Sequence, residues 1–137
     1  MSDAGFELDA RLAGDTVLVA DLALCRVLLM NDARFPWLVL VPRQPGMVEV
    51  TDLSPADQAT LWHEVNLASS ALRAVGSCDK LNIGALGNIV RQLHVHVVAR
   101  QVGDTAWPGP VWGSGKAIPY AVEQTATLSE ALRNALE

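Results

Sequence analysis

The chain has 137 residues, which is enough for one domain that buries roughly two-thirds of its unfolded surface. Half of the residues are hydrophobic and 18% are charged, an apolar balance that favours a further buried surface such as a homodimer interface. The net charge of -5 argues against a protein that binds a nucleic-acid polymer, which needs a basic surface to neutralise phosphates. We therefore predict one domain over residues 1–137 that forms a homodimer.

The N-terminus and the apolar runs do not resemble targeting or membrane segments. Residues 1–11 hold three acids and one base, unlike the basic start of a signal peptide. The apolar run 22–30 contains Arg26 and is much shorter than the roughly 20 residues of a membrane span. Cys25 and Cys78 have neither metal-binding spacing nor the pattern of a secreted disulfide framework. These features predict a cytoplasmic protein with reduced thiols and no membrane partner.

The N-terminal third predicts one short helix and three strands. The amphipathic segment 6–12 precedes a turn at Gly14-Asp15, and strand-like aliphatic runs follow at 16–20, 26–30 and 37–41. Residues 31–34 break the second run, and Pro42 follows the third. The short connections favour an antiparallel meander, because parallel strands need long crossovers.

A long helix is predicted from Ser54 to about Ala74. Ser54 can cap it, Pro55 fits its first position, and Asp57 lies near the positive end of the helix dipole. The apolar residues predicted to face the core at helical spacing are Trp62, Val65, Ala68, Leu72 and Val75. Gly76 ends the run.

The C-terminal half predicts two more strands and a final helix. The strand-like runs 80–85 and 93–100 are joined by a loop rich in Gly and Asn. Residues 103–119 are rich in Pro and Gly and predict an ordered loop, and 128–136 predict a helix. One antiparallel sheet of about five strands, one long helix packed on it and a C-terminal loop and helix make an α+β domain.

The most informative segment is 91–100, which reads Arg-Gln-Leu-His-Val-His-Val-Val-Ala-Arg. Side chains alternate in a strand, so Gln92, His94 and His96 are predicted to share one face. The intervening aliphatic residues would then face the core. A buried imidazole needs hydrogen-bond partners, so two of them on one strand face indicate a functional face.

Three interpretations of the His-x-His pair stay open on the residues alone. It is an exposed pair, half of a metal site suited to zinc or another divalent ion, or a pair of catalytic groups. A metal site needs a third ligand, and His63 is the only other histidine. His63 lies in the predicted long helix and is expected to be a partly exposed structural residue.

The segment resembles the signature of the histidine triad (HIT) family, His-φ-His-φ-His-φ-φ, in which φ is an apolar residue. The resemblance covers residues from about 6 to 113. Met30-Asn31-Asp32, residues 38–42, Asp52-Leu53-Ser54-Pro55 and the long helix are similar to the family's dinucleoside polyphosphate hydrolase branch. It implies a HIT fold and a twofold homodimer that extends the sheet or pairs the long helices.

Aligned on the signature, His94 takes the position of the family's nucleophile and His96 that of a phosphate-binding histidine. Gln92 replaces the first histidine of the triad. A carboxamide does not relay a proton, but it can orient a neighbour through donor and acceptor bonds. On this basis we expect catalytic roles for all three residues, and activity equal to or above the parent's for Gln92→His.

The resemblance also implies three substrate-binding asparagines. Asn31 matches a residue that binds ribose hydroxyls, Asn88 a glutamine at the scissile phosphate, and Asn82, after a one-residue gap, a substrate-contacting asparagine. Two positions depart from the family pattern: Leu38 lies where some members carry a supporting histidine, and Ile89 where many carry Ser or Thr.

Four other residues have predicted roles. Arg100 is either a surface charge or a residue that helps with a distal phosphate. Trp37 is expected to belong to the core, with the wall of a base pocket as the alternative. Trp107 and Trp112 are predicted either to clamp the C-terminal segment or to form an edge of the substrate site.

The activity implied by the resemblance is hydrolysis or transfer at the α-phosphate of a nucleotide or dinucleotide substrate. An imidazole has a pKa of about 6.5, so much of it is unprotonated and nucleophilic at neutral pH. No cofactor or obligatory metal is expected. The alternatives are a nucleotide-binding or sensing module with little turnover, and a metal-dependent enzyme that uses the His-x-His pair.

Overall fold

The computed structural model describes residues 3–137, in which five antiparallel strands form one sheet. The strands are β1 (Thr16–Asp21), β2 (Cys25–Met30), β3 (Trp37–Pro42), β4 (Lys80–Gly84) and β5 (Val95–Arg100), in the spatial order β1-β2-β3-β5-β4. The helices are α1 (Ala10–Asp15), α2 (Pro55–Val75) and α3 (Val122–Leu136), with a 3-10 turn at Val50–Asp52. The predicted α+β class and five-stranded antiparallel sheet are confirmed.

The sheet register separates a helix-side face from a second face. Leu38 of β3 pairs with Val97 of β5, and both are fully buried in the core shared with α2 and α3. The next pair along, Val39 and His96, lies on the other face, because side chains alternate along each strand. The second face therefore carries the imidazole of His96.

Helix α2 begins as predicted. Ser54 Oγ accepts the backbone N–H of Asp57 at 3.1 Å, and Pro55 occupies the first helical position. The buried face follows Leu61, Val65, Ala68 and Leu72. The prediction of Trp62 as a core residue is wrong: it is 51% exposed, because it lies one residue, about 100° of rotation, beyond Leu61.

A buried carboxylate joins α2 to the sheet. Glu64 is 2% exposed, and its two oxygens accept the backbone N–H groups of Leu24 (3.0 Å) and Cys25 (2.8 Å). The two donors are the residue before β2 and its first residue. A carboxylate whose two oxygens each accept a backbone donor is a well-satisfied buried group.

Three predicted boundaries shift. The first helix occupies Ala10–Asp15 and not 6–12, because Asp9 caps it by accepting the N–H of Arg11; Gly14-Asp15 are its last residues and not a turn. The final helix begins at Val122, six residues before the predicted start. Strand β5 begins at Val95, so His94 lies in the segment that leads into it. Within residues 3–137, no helix is both long and apolar enough to span a membrane.

Candidate active site

The two imidazoles of the signature segment are in contact. His94 and His96 are 7% and 6% exposed, and their ring centroids lie 4.9 Å apart in an edge-on arrangement. Val95 and Val97 pack in the helix-side core, as the alternation predicts. One phosphoryl group could therefore contact both rings, since they are separated by about the width of such a group.

A main-chain carbonyl fixes the tautomer of His94. Its Nδ1 lies 2.6 Å from the backbone oxygen of Gln92. A carbonyl oxygen only accepts, so the hydrogen between them belongs to Nδ1. In the neutral ring the lone pair then lies on Nε2, which is the nitrogen available for attack.

An indole fixes the opposite tautomer of His96. The Nε1–H of Trp37 donates to His96 Nδ1 at 3.0 Å. An indole nitrogen only donates, so Nδ1 is an acceptor and the proton of the neutral ring lies on Nε2. Burial, with a smaller contribution from the charge of His94, lowers the pKa of His96 to about 4. His96 is thus a neutral N–H donor at neutral pH.

Trp37 supports His96 from the neighbouring strand β3. It is buried, as predicted, but it also bonds His96 and lines the adjoining cavity. Leu38, which we matched to a supporting histidine of the family, lies on the opposite face of β3 in the core. Neighbouring residues of a strand face opposite sides of the sheet, so Trp37 reaches His96 and Leu38 does not.

A cavity of about 760 Å³ lies beside His96. Its polar lining includes Asn31, Asp32 and Arg34, and its aromatic lining includes Trp37 and Trp112. A second, smaller cleft of about 20 Å³ adjoins His94, between Gly87 and Gln92. Another groove, of about 510 Å³, lies between α2 and α3 and is lined by no histidine.

One wall of the cavity is a segment that we call the strap, residues 111–120. Four hydrogen bonds attach the strap to residues 31–34 at the end of β2. They join Tyr120 N–H to Asn31 Oδ1 (2.9 Å), Ile118 N–H to Asp32 Oδ1 (3.3 Å), Ala33 N–H to Ile118 O (2.6 Å) and Arg34 Nη1 to Ser114 O (2.5 Å). The predicted ribose-binding residue Asn31 therefore lies in the cavity lining, with its carbonyl oxygen already bonded to the strap.

Asp32 and Arg34 form a bidentate ion pair at the base of the strap. Arg34 Nε and Nη2 donate to the carboxylate at 3.0 and 2.9 Å, and Asp32 is 1% exposed. Burial alone would raise the pKa of Asp32, but the bonds from Arg34 and Ile118 outweigh it and lower that pKa. The ion pair therefore keeps the Asp32 carboxylate charged beside the cavity, and the guanidinium of Arg34 balances that negative charge.

Gln92 lies next to the histidines but acts elsewhere. Its side-chain Oε1 accepts the N–H of Asp9 at 2.8 Å, and its Nε2 donates to the carbonyl of Glu7 at 2.8 Å. The contact with His94 comes from the backbone carbonyl of Gln92 and not from the carboxamide.

The other two predicted asparagines are outside the cavity lining. Asn82 of β4 accepts a bond from Arg100 Nη1 at 2.9 Å, and Asn88 is exposed on the loop between β4 and β5. The prediction of Arg100 as a phosphate contact is wrong: it is 1% exposed and forms two 2.8 Å bonds with Asp104. Pairing of β4 with β5 brings Asn82 to Arg100, and spacing along the chain gave no sign of it.

The two tryptophans of the C-terminal loop have different surroundings. The guanidinium of Arg100 stacks over the ring of Trp107 at 5.6 Å, which is a structural contact. Trp112 lies edge-on to His96 at 5.5 Å and lines the cavity. The site-edge interpretation therefore fits Trp112, whereas the contact of Trp107 is with β5 and its role as a clamp on the C-terminal segment stays a prediction.

A third metal ligand for the His-x-His pair is not found within the described part of the chain. Over residues 3–137, no three side chains of His, Cys, Asp or Glu are close enough together to hold a metal ion. His63 is exposed on α2, as predicted, and Cys25 and Cys78 are unpaired thiols.

Comparison with known proteins identifies the family. The HIT domain family matches residues 12–103. The crystal structure of a histidine triad (HIT) protein from Sinorhizobium meliloti 1021 is 49% identical, with a TM-score of 0.95 over 98% of this chain and 99% of that one.

Two further solved structures are similar. A histidine triad protein from Bradyrhizobium japonicum is 46% identical, with a TM-score of 0.94 over 97% of this chain and 99% of its own. One from Marinobacter aquaeolei VT8 is 44% identical, with a TM-score of 0.92 over 96% of each chain. A search of curated proteins gives no match. The matched domain and these structures show that the chain belongs to the HIT family.

Proposed function

We propose that the protein is a nucleotide hydrolase or transferase of the dinucleoside polyphosphate hydrolase type. Its substrates would be dinucleoside polyphosphates similar to diadenosine tetraphosphate, or nucleotidyl conjugates, cleaved at the α-phosphate. The main observation in support of this proposal is that the two histidines have opposite tautomers. His94 has a free lone pair on Nε2, and the neighbouring His96 has an N–H donor. HIT proteins are generally nucleotide-binding hydrolases or transferases, and some only bind.

The reaction has two displacements at phosphorus. In the first, the Nε2 lone pair of His94 forms a P–N bond, and the electron pair of the P–O bond leaves with the departing nucleoside polyphosphate. In the second, water forms a new P–O bond, loses its proton to solvent, and the P–N electron pair returns to Nε2. Dividing the reaction through a nucleotidyl-histidine intermediate replaces one difficult step by two easier ones.

The remaining groups support charge and position. The Nε2–H of His96 donates to a phosphoryl oxygen, where negative charge is stabilised in the transition state. Asn31 is the proposed ribose ligand, with its orientation set by the strap. The cavity of about 760 Å³ is within the roughly 300–1,000 Å³ typical of small-molecule sites, so it has room for a nucleotide.

A binding or sensing module is the second candidate. Gln92 supplies no imidazole, and its carboxamide hydrogen-bonds to the backbone of Asp9 and Glu7, so the site lacks one titratable group of the family triad. A site with the nucleophile and the phosphate donor but little turnover would still bind nucleotides.

One experiment separates these functions. The protein is incubated with a nucleoside phosphoramidate or a dinucleoside polyphosphate, with and without chelator, and the reaction is quenched to trap a nucleotidyl-histidine for mass spectrometry. We expect turnover that chelator does not change. His94→Ala should remove nearly all turnover and keep nucleotide binding, because loss of a covalent nucleophile acts mainly on kcat.

His63→Ala is the matched control, because His63 is exposed on α2 and is not part of the lining of the cavity beside His96. Parental turnover in His94→Ala, in a preparation free of other hydrolases, would contradict the role of His94 as the nucleophile. Nucleotide binding without turnover in the parent would replace the enzyme by the sensing module. Loss of turnover on chelation would favour the metal-dependent enzyme.

We also propose that the functional unit is a twofold homodimer. The apolar composition and the family resemblance support it, and the exposed apolar side chains at the sheet edge, considered below, are consistent with it.

A further inference from the structure

Two indole rings cover the imidazole of His96. The ring of Trp37 lies 5.7 Å from it between centroids and donates the hydrogen bond to Nδ1, and the ring of Trp112 lies edge-on to it at 5.5 Å. The third ring in contact is that of His94, at 4.9 Å. Although His96 lines the cavity, these neighbours leave only 6% of it exposed.

A missing side chain on β4 makes room for one of the indoles. Gly84 pairs directly with His96, so a side chain at position 84 would project from the same face of the sheet as the imidazole. A Cβ there would lie 3.3 Å from Cη2 and 3.7 Å from Cζ2 of Trp112. Because 3.3 Å is closer than ordinary contact between carbon atoms, a larger side chain would displace the ring. Gly84 has no positive φ, so this glycine provides space and not an unusual backbone conformation.

The indole of Trp112 is held by packing and not by a hydrogen bond. Its Nε1 is buried and has no hydrogen-bond partner within residues 3–137. The ring packs on the apolar cluster that includes Trp37 and Val39. A buried donor without an acceptor lowers stability, so what Trp112 contributes here is its ring and not its N–H.

The bond between Trp37 and His96 exists only while Nδ1 of His96 carries no proton. Since Nε2 already carries one, a second proton would enter at Nδ1, and an indole N–H cannot accept from it. Protonation of His96 would therefore break the bond that orients its ring. Burial is the main cause of the low pKa of His96, about 4, and Trp112 is one of the rings that bury it.

Charges around His96 contribute less than burial. The residues opposite it on the neighbouring strands, Val39 and Gly84, are uncharged. The charged residues of the cavity lining are Asp15, Asp32 and Arg34. His94 is the titratable group in ring contact, and its charge lowers the pKa of His96 less than burial does. Exclusion of water is thus the main factor that keeps Nδ1 unprotonated.

We infer that Trp112, seated in the space that Gly84 leaves beside His96, is a positioning residue that shields His96 from water. The shield preserves the hydrogen bond from Trp37, and with it the orientation in which Nε2–H of His96 donates to a phosphoryl oxygen. The inference rests on the proposed function for the role of His96 as that donor. It gives Trp112 a role besides forming an edge of the cavity.

The test is an NMR titration of the full chain without nucleotide, from about pH 8 to about pH 5. We follow the ring nitrogens of His96 by ¹⁵N shifts, and the indole N–H of Trp37, whose signal is assigned by its loss in Trp37→Phe. The parent should keep a neutral His96 over this range. In Trp112→Ala the pKa of His96 should move from about 4 towards its ordinary value of about 6.5, and the Trp37 signal should lose its hydrogen-bond shift as His96 protonates.

Trp112→Phe separates the ring of Trp112 from its N–H. Phenylalanine keeps an aromatic ring and loses only a donor that has no partner, so His96 should titrate close to the parent. Trp62→Ala is the matched control for the alanine variant, because Trp62 is 51% exposed on α2, and it should not change the titration.

A second pair of variants keeps Trp112 and changes its seat. Gly84→Val adds a side chain that suits a strand but displaces the indole, so the pKa of His96 should rise as in Trp112→Ala. Gly76→Val is the control, since Gly76 has an extended backbone at the end of α2 and nothing within 4 Å of an added Cβ. Far-UV circular dichroism over the same pH range checks that each variant is folded.

A His96 that stays neutral at about pH 5 in folded Trp112→Ala or Gly84→Val would overturn the inference. An equal rise in Trp62→Ala or Gly76→Val would overturn it too, because the rise would then reflect a general loosening of the fold. The titration needs no turnover, so failure of the proposed function is distinguishable. An inactive parent whose His96 responds to Trp112→Ala keeps the shielding role, and an active parent whose His96 does not respond loses it.

Discussion

At the scale of single residues, the indole of Trp37 gives His96 its donor character. Trp37→Phe keeps an aromatic ring beside Phe35, with which Trp37 now makes an edge contact at 6.5 Å, and removes only the N–H. His96 Nδ1 then has no fixed donor, and its proton distributes over both nitrogens. We expect kcat to fall about tenfold, less than the ~10²–10³ of a lost oxyanion donor.

The measurement is steady-state kinetics together with the ¹⁵N tautomer of His96. Trp62→Phe is the control, because Trp62 is exposed on α2. A parental rate in Trp37→Phe with a mixed tautomer would show that the proton position on His96 does not limit turnover.

The low pKa of His96 predicts a pH-dependent stability. Its pKa is about 4 in the fold and about 6.5 in the unfolded chain, so the unfolded state binds the proton first as the pH falls. The stabilising contribution is fully present above about pH 6.5 and is lost towards pH 4, a difference of about 3 kcal/mol.

Urea unfolding at pH 7 and pH 4.5 measures this difference. His96→Asn should lose much of the pH dependence across that interval, whereas His63→Asn, a change at an exposed site, should keep it. Equal slopes in the parent and His96→Asn would contradict the assignment. Carboxylates such as Asp104, with a pKa of about 2, lose their stabilising charge only at lower pH.

At the scale of elements, Glu64 makes the junction of α2 with β2 sensitive to one atom. In Glu64→Gln the single amide oxygen can accept only one of the two backbone N–H groups well. The amide NH₂ group then faces the other backbone N–H. We expect the free energy of unfolding to fall by about 2 kcal/mol, the cost of a buried unsatisfied donor.

Urea unfolding at pH 7 checks this prediction. Glu130→Gln, at an exposed position of α3, is the matched control and should change stability by less than ~0.5 kcal/mol. Equal stability of Glu64→Gln and the parent would mean that the amide finds another arrangement at the start of β2.

Local sequence signals were sufficient for most elements. Ser54-Pro55 marked the start of α2, and the aliphatic runs marked all five strands, because capping and alternation act between close neighbours in the chain. The same rules placed His94 and His96 correctly beside an aliphatic core. They failed for Trp62, because the helix period was started one residue from the buried Leu61.

The surroundings of the site depended on contacts between distant segments. Trp37 meets His96 only through the pairing of β3 with β5, and Asn82 meets Arg100 only through that of β4 with β5. The side chain of Gln92 bonds the backbone of Glu7 and Asp9 across more than eighty positions of sequence. Such contacts leave no periodic pattern in the chain. The sequence therefore could not show which ring nitrogen of each histidine carries the proton.

At the scale of the whole molecule, the edge strand β4 supports the proposed homodimer. Its ladder within the chain is with β5 alone, and Ile83 on the helix-side face is 42% exposed. Light scattering at micromolar concentration should give twice the chain mass of 14.7 kDa. Ile83→Lys should shift the mass towards one chain, because a charge at a buried interface is costly.

Val122→Lys is the control, since Val122 is 80% exposed at the start of α3, away from the β4 edge. A single-chain mass for the parent would contradict the dimer proposal. A dimeric mass for Ile83→Lys would show that the interface does not lie at β4.

The strap separates the shape of the cavity from the stability of the fold. Its middle consists of small or exposed residues, among them Ser114 and Ala117, and it is attached to the sheet mainly by backbone groups and the Asp32–Arg34 pair. Bulkier residues at these two positions would narrow the cavity without entering either apolar core. The range of ligands that the cavity accepts can therefore change through substitutions at a few strap residues, while the histidines and the sheet beneath them stay unchanged.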